Sequence, residues 1–373
     1  MKIAILVPHM FMDESIMSKV IFSPGTIAID LAEGLADLGH EVTLFSPGPI
    51  KNKKFKNICS DRTLIEKELD SRGYDLTTLM SKHPLTYITL ARQIQSELIS
   101  KAYKMANNGL FDLVHVWINE EDIALEFAKL CNKPIIFTHH EPFNFYTKYR
   151  TSFEKYKDLN WVSISYAQRK TIPVKMNWVG NVYHGIRNPF VQYKIETSMD
   201  YKKYFAYLGR IIESKGVHLA VQAVIKYNEK STNEPIILKI AGKYYEDSYW
   251  EKEIKPYVDN KFIQFVEFIS KPEEKFNFLY NAKALLAPST WEEPFGMMII
   301  EAMSVGTLTI GLSNGALKEI VKDGVNGFIS KDNIEQNFDK VNQINSKKLI
   351  DSFDFTIERM CEEYEKIYQA ILT

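Results

Sequence analysis

The feature that most constrains this chain is an alternation that runs through its first half and then starts again. Residues 2–7 (KIAILV) form a short apolar run of strand length, residues 26–38 have the periodicity of a helix, and residues 41–45 read as a second strand. Gly39 stops the helix, as a glycine just past a helix end does. Residues 113–117, 134–138 and 161–164 read as further strands, with a helix over 121–130 between the first two. Strands that alternate with amphipathic helices pair in parallel through crossover connections, which makes a doubly wound sheet. The pattern resumes at residues 204–208, with a helix from about Gly216, and continues through strands at 236–240, 263–266, 284–287 and 307–310. A final amphipathic helix over 355–372 carries Tyr364 and Tyr368. A chain of 373 residues is long for one core, so an α/β fold of two doubly wound domains is expected, joined near residues 187–200. The expected domains are 1–190, with 355–373 added to it, and 191–354.

Composition narrows the function classes. The net charge of −1 provides no global field toward nucleic acid, and no nucleic-acid partner is expected. Cys59, Cys131 and Cys361 lie far apart with no C-x-x-C pair, which argues for a reducing compartment and against a disulfide frame or zinc site. The opening MKIAILVPHM is too short in its apolar part for a signal peptide, and a buried first strand is the better reading. No apolar run reaches the roughly 18 residues of a membrane span. The expected location is the cytoplasm. The basic cluster at residues 51–56 (KNKKFK) reads first as a solvated loop; its second reading is contact with an anionic acceptor or with the inner membrane face.

Ligands of doubly wound sheets bind beyond the carboxyl ends of the strands. Two motifs sit there in the second half. After the strand at 204–208 comes Gly209-Arg210-x4-Lys215-Gly216. Two cations in a glycine-flanked strand-to-helix turn suit a diphosphate, since Arg holds oxygens bidentately and Lys adds a point charge. The plainer reading is two ordinary surface cations. After the strand at 284–287 comes PSTWEEPFGMMIIE, residues 288–301. A helix starting near Met297 presents its first amides to phosphate oxygens, and Gly296 lets a ligand come close to the backbone. Glu301 sits among apolar neighbours, and burying a carboxylate without a partner costs several kcal/mol, so it holds a partner or reaches solvent. One turn into the helix it can accept from the vicinal diol of a ribose, and Glu293 in the loop ahead can accept from sugar hydroxyls. The plainer reading of Glu301 is a helix-edge residue that snorkels to solvent.

The second half resembles the nucleotide domain of the retaining GT-B glycosyltransferases of family 4. Glu293-x7-Glu301 resembles the family's paired-glutamate motif and Gly209-Arg210-x4-Lys215-Gly216 its cationic motif. Lesser similarities run through the chain: LAEGLADLGHEVTLF at 31–45, FDLVHV at 111–116, SISYAQRK at 163–170, VYHGI at 182–186 and DGVNGF at 323–328. The last helix resembles the one that crosses back to the first domain in that fold. The resemblance implies two Rossmann-like domains facing a cleft, an acceptor held by the first and a nucleotide-sugar by the second. It implies transfer of a sugar from a nucleoside diphosphate donor, UDP-sugar first, with retention at the anomeric carbon. Carried over, Arg210 and Lys215 stabilise the departing diphosphate with the amides of Phe295, Gly296, Met297 and Met298. Glu293 then meets the donor sugar, and Glu301 the ribose. A histidine of the first domain, usually in Thr-x-His, maps to His140 of Thr138-His139-His140, with a contact to the donor sugar implied. His139 faces elsewhere, since neighbouring side chains on an extended segment point apart.

No D-x-D triplet occurs, so no metal is expected, and the leaving group is neutralised by Arg210, Lys215 and helix amides. No cofactor is expected beyond the donor itself. The chain departs from the family pattern in three places. The Gly-Gly pair of the first βα loop is replaced, in a loop from Pro8 to Thr26, by Ser23-Pro24-Gly25-Thr26, and Gly25 is the candidate equivalent. The glycine after the strand that meets the base is Glu267, which either accepts from a base amino group or is merely exposed. A proline expected before Glu319 is Lys318. Three alternatives stand beside the glycosyltransferase: a sugar-nucleotide epimerase, an α-glucan phosphorylase, and a catalytically silent sugar-nucleotide-binding protein. The acceptor, whether glycan, lipid-linked or small molecule, and the oligomeric state are not legible. The aromatic run at 140–149 (HEPFNFYTKY) fits stacking on a ligand, a lid, or core packing equally.

Overall fold

The computed structural model describes residues 1–17, 19–119, 122–144, 147–245 and 247–373. It divides into two compact units. One comprises Met1–Ile164, Arg169–Tyr183 and Ile357–Thr373; the other comprises Ser165–Gln168 and His184–Thr356.

The first unit holds strands β1 (Lys2–Leu6), β2 (Glu41–Ser46), β3 (Lys56–Cys59), β4 (Leu113–Ile118), β5 (Ile135–His139), β6 (Asn160–Ser163) and β7 (Trp178–Asn181). They form one sheet in the order β3-β2-β1-β4-β5-β6-β7, parallel throughout. The order reverses between β1 and β4, the switch point of a doubly wound sheet. β4 and β5 are buried along their whole length, as a sheet covered on both faces requires. The Ser23–Asp37 helix begins three residues before the expected start, because Pro24 fits a first helical turn, where its missing N–H costs nothing. The loop before it contains a short helical turn, Glu14–Met17, and Asp13 is buried against Arg62. Residues 60–107 hold helices Thr63–Arg72, Leu76–Lys82 and Pro84–Asn107, a region that the apolar spacing left unassigned. The helix expected at 121–130 is a shorter Ile123–Phe127 helix and a single 3-10 turn, with Glu121 outside the described residues.

The C-terminal helix, Ile357–Leu372, packs on this unit. Cys361 sits against Gly34, and His40 Nε2 lies 2.9 Å from Glu365 Oε1. Tyr368 and Tyr364, both buried, reach the sheet: His115 Nδ1 is 2.7 Å from Tyr368 OH, and Thr138 Oγ1 is 2.8 Å from His115 Nε2 and 3.3 Å from Tyr364 OH.

The second unit holds β8 (Tyr204–Leu208), β9 (Ile237–Ala241), β10 (Ile263–Glu267), β11 (Ala282–Ala287), β12 (Leu308–Leu312) and β13 (Gly327–Ser330). Their order is β10-β9-β8-β11-β12-β13, again parallel, with the switch point between β8 and β11. Helices Val217–Lys230, Pro272–Tyr280 and Met297–Ser304 cross over between strands. Their apolar faces join the strands in a core around Phe205, Val221, Leu238, Ile240, Leu286 and Ile310. Among the described residues, no helix is long and apolar enough to cross a membrane.

Candidate functional site

The two motifs of the second unit leave adjacent strands at its switch point. Gly209-Arg210 follows β8 and Pro288–Gly296 follows β11. Backbone contacts hold the two loops together. Thr290 donates from both its N–H and its Oγ1 to Ser214 O, at 3.0 and 3.1 Å. Gly216, at φ 68°, lies so close that a Cβ there would stand 2.1 Å from Pro288 O. Only glycine combines that left-handed turn with that approach.

Lys215 and Glu293 meet inside this pair of loops, and both are buried. The Lys215 ammonium donates to Glu293 Oε2 at 2.5 Å, the Trp291 indole N–H at 2.9 Å and Ser289 Oγ at 3.2 Å, so three donors converge on one oxygen. Lys215 Nζ lies 4.5 Å from the Trp291 ring centroid and the Arg210 guanidinium 5.8 Å from it, both within cation–π range. Burial opposes the charged carboxylate. The Lys215 charge and hydrogen bond, the indole and Arg210 overcome that and hold Glu293 below the usual carboxylate range. The backbone around it is fixed as well: Ala316 N donates to Glu293 O at 2.8 Å and Gly315 N to Glu292 Oε2 at 2.9 Å. Tyr207 OH donates to Arg210 O at 2.7 Å, setting the start of the cationic turn.

Gly296, at φ 95°, turns the chain into the Met297–Ser304 helix, whose first amides follow directly. Phe295 is buried, its ring 4.9 Å from that of His184 and 6.2 Å from that of Phe355, so its side chain anchors the loop. Met297 and Met298 are half-buried. Glu301 has a partner: Lys275 Nζ of the preceding Pro272–Tyr280 helix donates to Glu301 Oε1 at 2.6 Å. That corrects the snorkelling reading, since the carboxylate is tied to a neighbouring helix. Glu267, at the end of β10, is exposed and has φ 66°, a conformation that favours the glycine it replaces. Its carbonyl accepts from Gly242 N at 2.9 Å, which joins the ends of β10 and β9. Gly209 N in turn donates to Ala241 O at 3.1 Å, so the ends of β10, β9 and β8 are linked in series.

The first unit holds the other expected residues. His140 follows β5 and is buried, its ring centroid 4.4 Å from that of Trp117. His139 points into a different cluster, 4.9 Å from Phe143 and 4.7 Å from Phe153. In the 140–149 aromatic run, Phe143 is core, and Phe145 and Tyr146 lie outside the described residues. Gly25 is not in a loop but in the first turn of the Ser23–Asp37 helix, where a Cβ would stand 2.7 Å from the Phe22 ring. Packing against Phe22 therefore accounts for the glycine. Residues 51–55 precede β3: Lys51, Lys53 and Lys54 are exposed, Phe55 is buried, and Lys54 pairs with Asp37 at 2.7 Å. Among the described residues, no group of three or more His, Cys, Asp and Glu side chains is disposed to hold a metal ion.

Trp291, Ser289, Gly315 and Lys275 had no role assigned from sequence. Trp291 lies inside the motif at 288–301, and a tryptophan directly ahead of the acidic pair Glu292-Glu293 was the available signal. Lys275 had none, because its tie to Glu301 depends on how two helices pack.

Comparison with known proteins agrees with this geometry at the level of family. Residues 25–172 match the model of Glycosyltransferase Family 4, and residues 192–359 match that of Glycosyl transferases group 1. The chain belongs to the family 4, group 1 glycosyltransferases. This glycosyltransferase is 23% identical over 356 residues to the putative glycosyltransferase YtcC of Bacillus subtilis (strain 168), covering 81% of this chain and 85% of that one. Its fold is similar to that of AviGT4, a glycosyltransferase involved in avilamycin A biosynthesis, with TM-score 0.67 and 16% identity over 100% of this chain and 98% of that one. It is also similar to HepE of Anabaena, solved in complex with UDP and glucose, with TM-score 0.67 and 14% identity over 99% and 100% of the two chains. The fold class is GT-B, with two Rossmann-like domains.

Proposed function

We propose that this glycosyltransferase transfers a sugar from a nucleoside diphosphate donor, a UDP-sugar first, to an acceptor hydroxyl, with retention at the anomeric carbon. The observation that carries this reading is the buried Lys215–Glu293 pair beside Arg210, at the switch point of the second unit and next to the first amides of the Met297–Ser304 helix. When the bond from the anomeric carbon to the diphosphate oxygen breaks, the electron pair goes to the diphosphate. Arg210, Lys215 and the amides at Phe295–Met298 stabilise that charge without a metal ion. Glu293 accepts from hydroxyls of the donor sugar, and Glu301 from the ribose diol. His140 contacts the sugar near the reacting carbon, and the acceptor's proton passes to the leaving phosphate. The first unit is assigned the acceptor. The UDP and glucose bound to HepE, a protein of the same fold, support the choice of donor.

The test is turnover of a panel of α-linked UDP-sugars by the purified protein, with the configuration of the released or transferred sugar read by NMR at early times. The expected product is the α-anomer. A β-anomer first product would overturn retention, and turnover of GDP-, ADP- or dTDP-sugars alone would overturn the UDP assignment.

A further inference from the structure

The pairing of Lys275 with Glu301 has a consequence for how the ribose is recognised. Glu301 Oε1 accepts from Lys275 Nζ at 2.6 Å, and both side chains are mostly shielded from water. A carboxylate has about four acceptor directions and an ammonium three donors, so one mutual hydrogen bond leaves both groups with capacity. A hydroxyl is donor and acceptor at once. A lone carboxylate satisfies only its donor side; a carboxylate beside an ammonium satisfies both. Lys275 also lies with its ammonium 5.1 Å from the Phe276 ring centroid, so its position is constrained by more than the ion pair. The Pro272–Tyr280 and Met297–Ser304 helices pack against each other, which presents the pair as a fixed unit.

We propose that Lys275 is a ribose-positioning residue: it holds the Glu301 carboxylate in a fixed orientation, and donates to the oxygen of a hydroxyl whose hydrogen bond Glu301 accepts. This rests on the reading of Glu301 as the ribose acceptor. The competing explanation is a tie between two helices that takes no part in nucleotide binding.

The experiment is calorimetric titration of the whole protein with UDP and with 2′,3′-dideoxy-UDP, using the parent, Lys275→Met, Lys275→Arg and Glu301→Gln. A hydrogen bond to a charged group implies a loss of about tenfold in UDP affinity for Lys275→Met. That loss should disappear with dideoxy-UDP and be largely restored by Lys275→Arg. Equal losses of Lys275→Met on UDP and dideoxy-UDP, or no loss on either, overturn the proposal. If Glu301→Gln discriminates UDP from dideoxy-UDP while Lys275→Met does not, Lys275 fails and Glu301 stands. If the parent itself binds the two nucleotides equally, or binds no UDP, both fail together.

Discussion

Glu293 and Lys215 are linked strongly enough that neither can be altered alone without consequence for the fold. Removing one partner of a buried ion pair leaves an uncompensated charge, at a cost of about 3–5 kcal/mol, whereas replacing both by apolar groups is often neutral. Glu293→Met should therefore lower stability by about that amount, and Lys215→Met should do so too. The Lys215→Met, Glu293→Met double variant should recover much of the loss while remaining inactive. Urea denaturation of the four proteins checks this. Additive single losses in the double variant would show that the two side chains do not depend on each other. The sequence was most informative for these residues because each follows a strand in a short motif of fixed spacing. It was silent on Lys275, whose contact with Glu301 spans 26 positions and is set by helix packing. It did not show that Gly25 lies in a helix, since a glycine ahead of an apolar periodic run looks the same in a loop and in a first helical turn. It was half-informative on Glu267: the departure from glycine was visible, but not the left-handed backbone kept at that position.

At the scale of elements, the central strands and the edge strand β10 were legible, and the edge strands β3, β7 and β13 were not. β1, β4 and β8 are mostly apolar runs because both faces of the sheet are covered. β3 (KNIC) and β7 (WVGN), at the two edges of the first sheet, are four residues long and only half-buried, so they leave no apolar signature. β13 (GFIS) edges the second sheet and opens on a glycine. The C-terminal helix was legible from its periodicity, but its anchor was not, because His115 meets Tyr368 across 253 positions. Burial lowers the pKa of His115 from about 6.5 to about 3. The same cause lowers His139 and His184 to about 3, with backbone hydrogen bonds partly opposing it at His139. The folded value lies below the unfolded one, so the unfolded chain takes up the proton first as pH falls. Stability is full above pH 6.5 and is lost through the window from 6.5 to 3, at about 1.4 kcal/mol per pH unit for each histidine. Urea midpoints should fall between pH 7.5 and 5.5, and His115→Gln should flatten that slope even though it weakens the helix anchor. Midpoints that do not move in the parent protein would contradict the buried neutral histidines.

For the whole molecule, the repeated alternation specified two parallel sheets, and the order of motifs along the chain specified the family. Neither specifies the acceptor, because loops that bind acceptors carry no period, and in the aromatic segment at 140–149 Phe143 belongs to the core. With a near-zero net charge, the proposed diphosphate binding falls to a local cluster, in which Arg210 is the more accessible cation, half-buried where Lys215 is buried. In the proposed reaction this cluster, without metal, takes the charge of the leaving diphosphate. The most direct measurement is UDP-sugar turnover in the presence of EDTA by the parent protein and by Arg210→Ala, with equal melting temperatures established first. Full activity of the parent is expected under chelation, with a loss of roughly two orders of magnitude or more in Arg210→Ala. Near-normal turnover by a folded Arg210→Ala protein, or loss of parent activity to EDTA that manganese or magnesium restores, would contradict it.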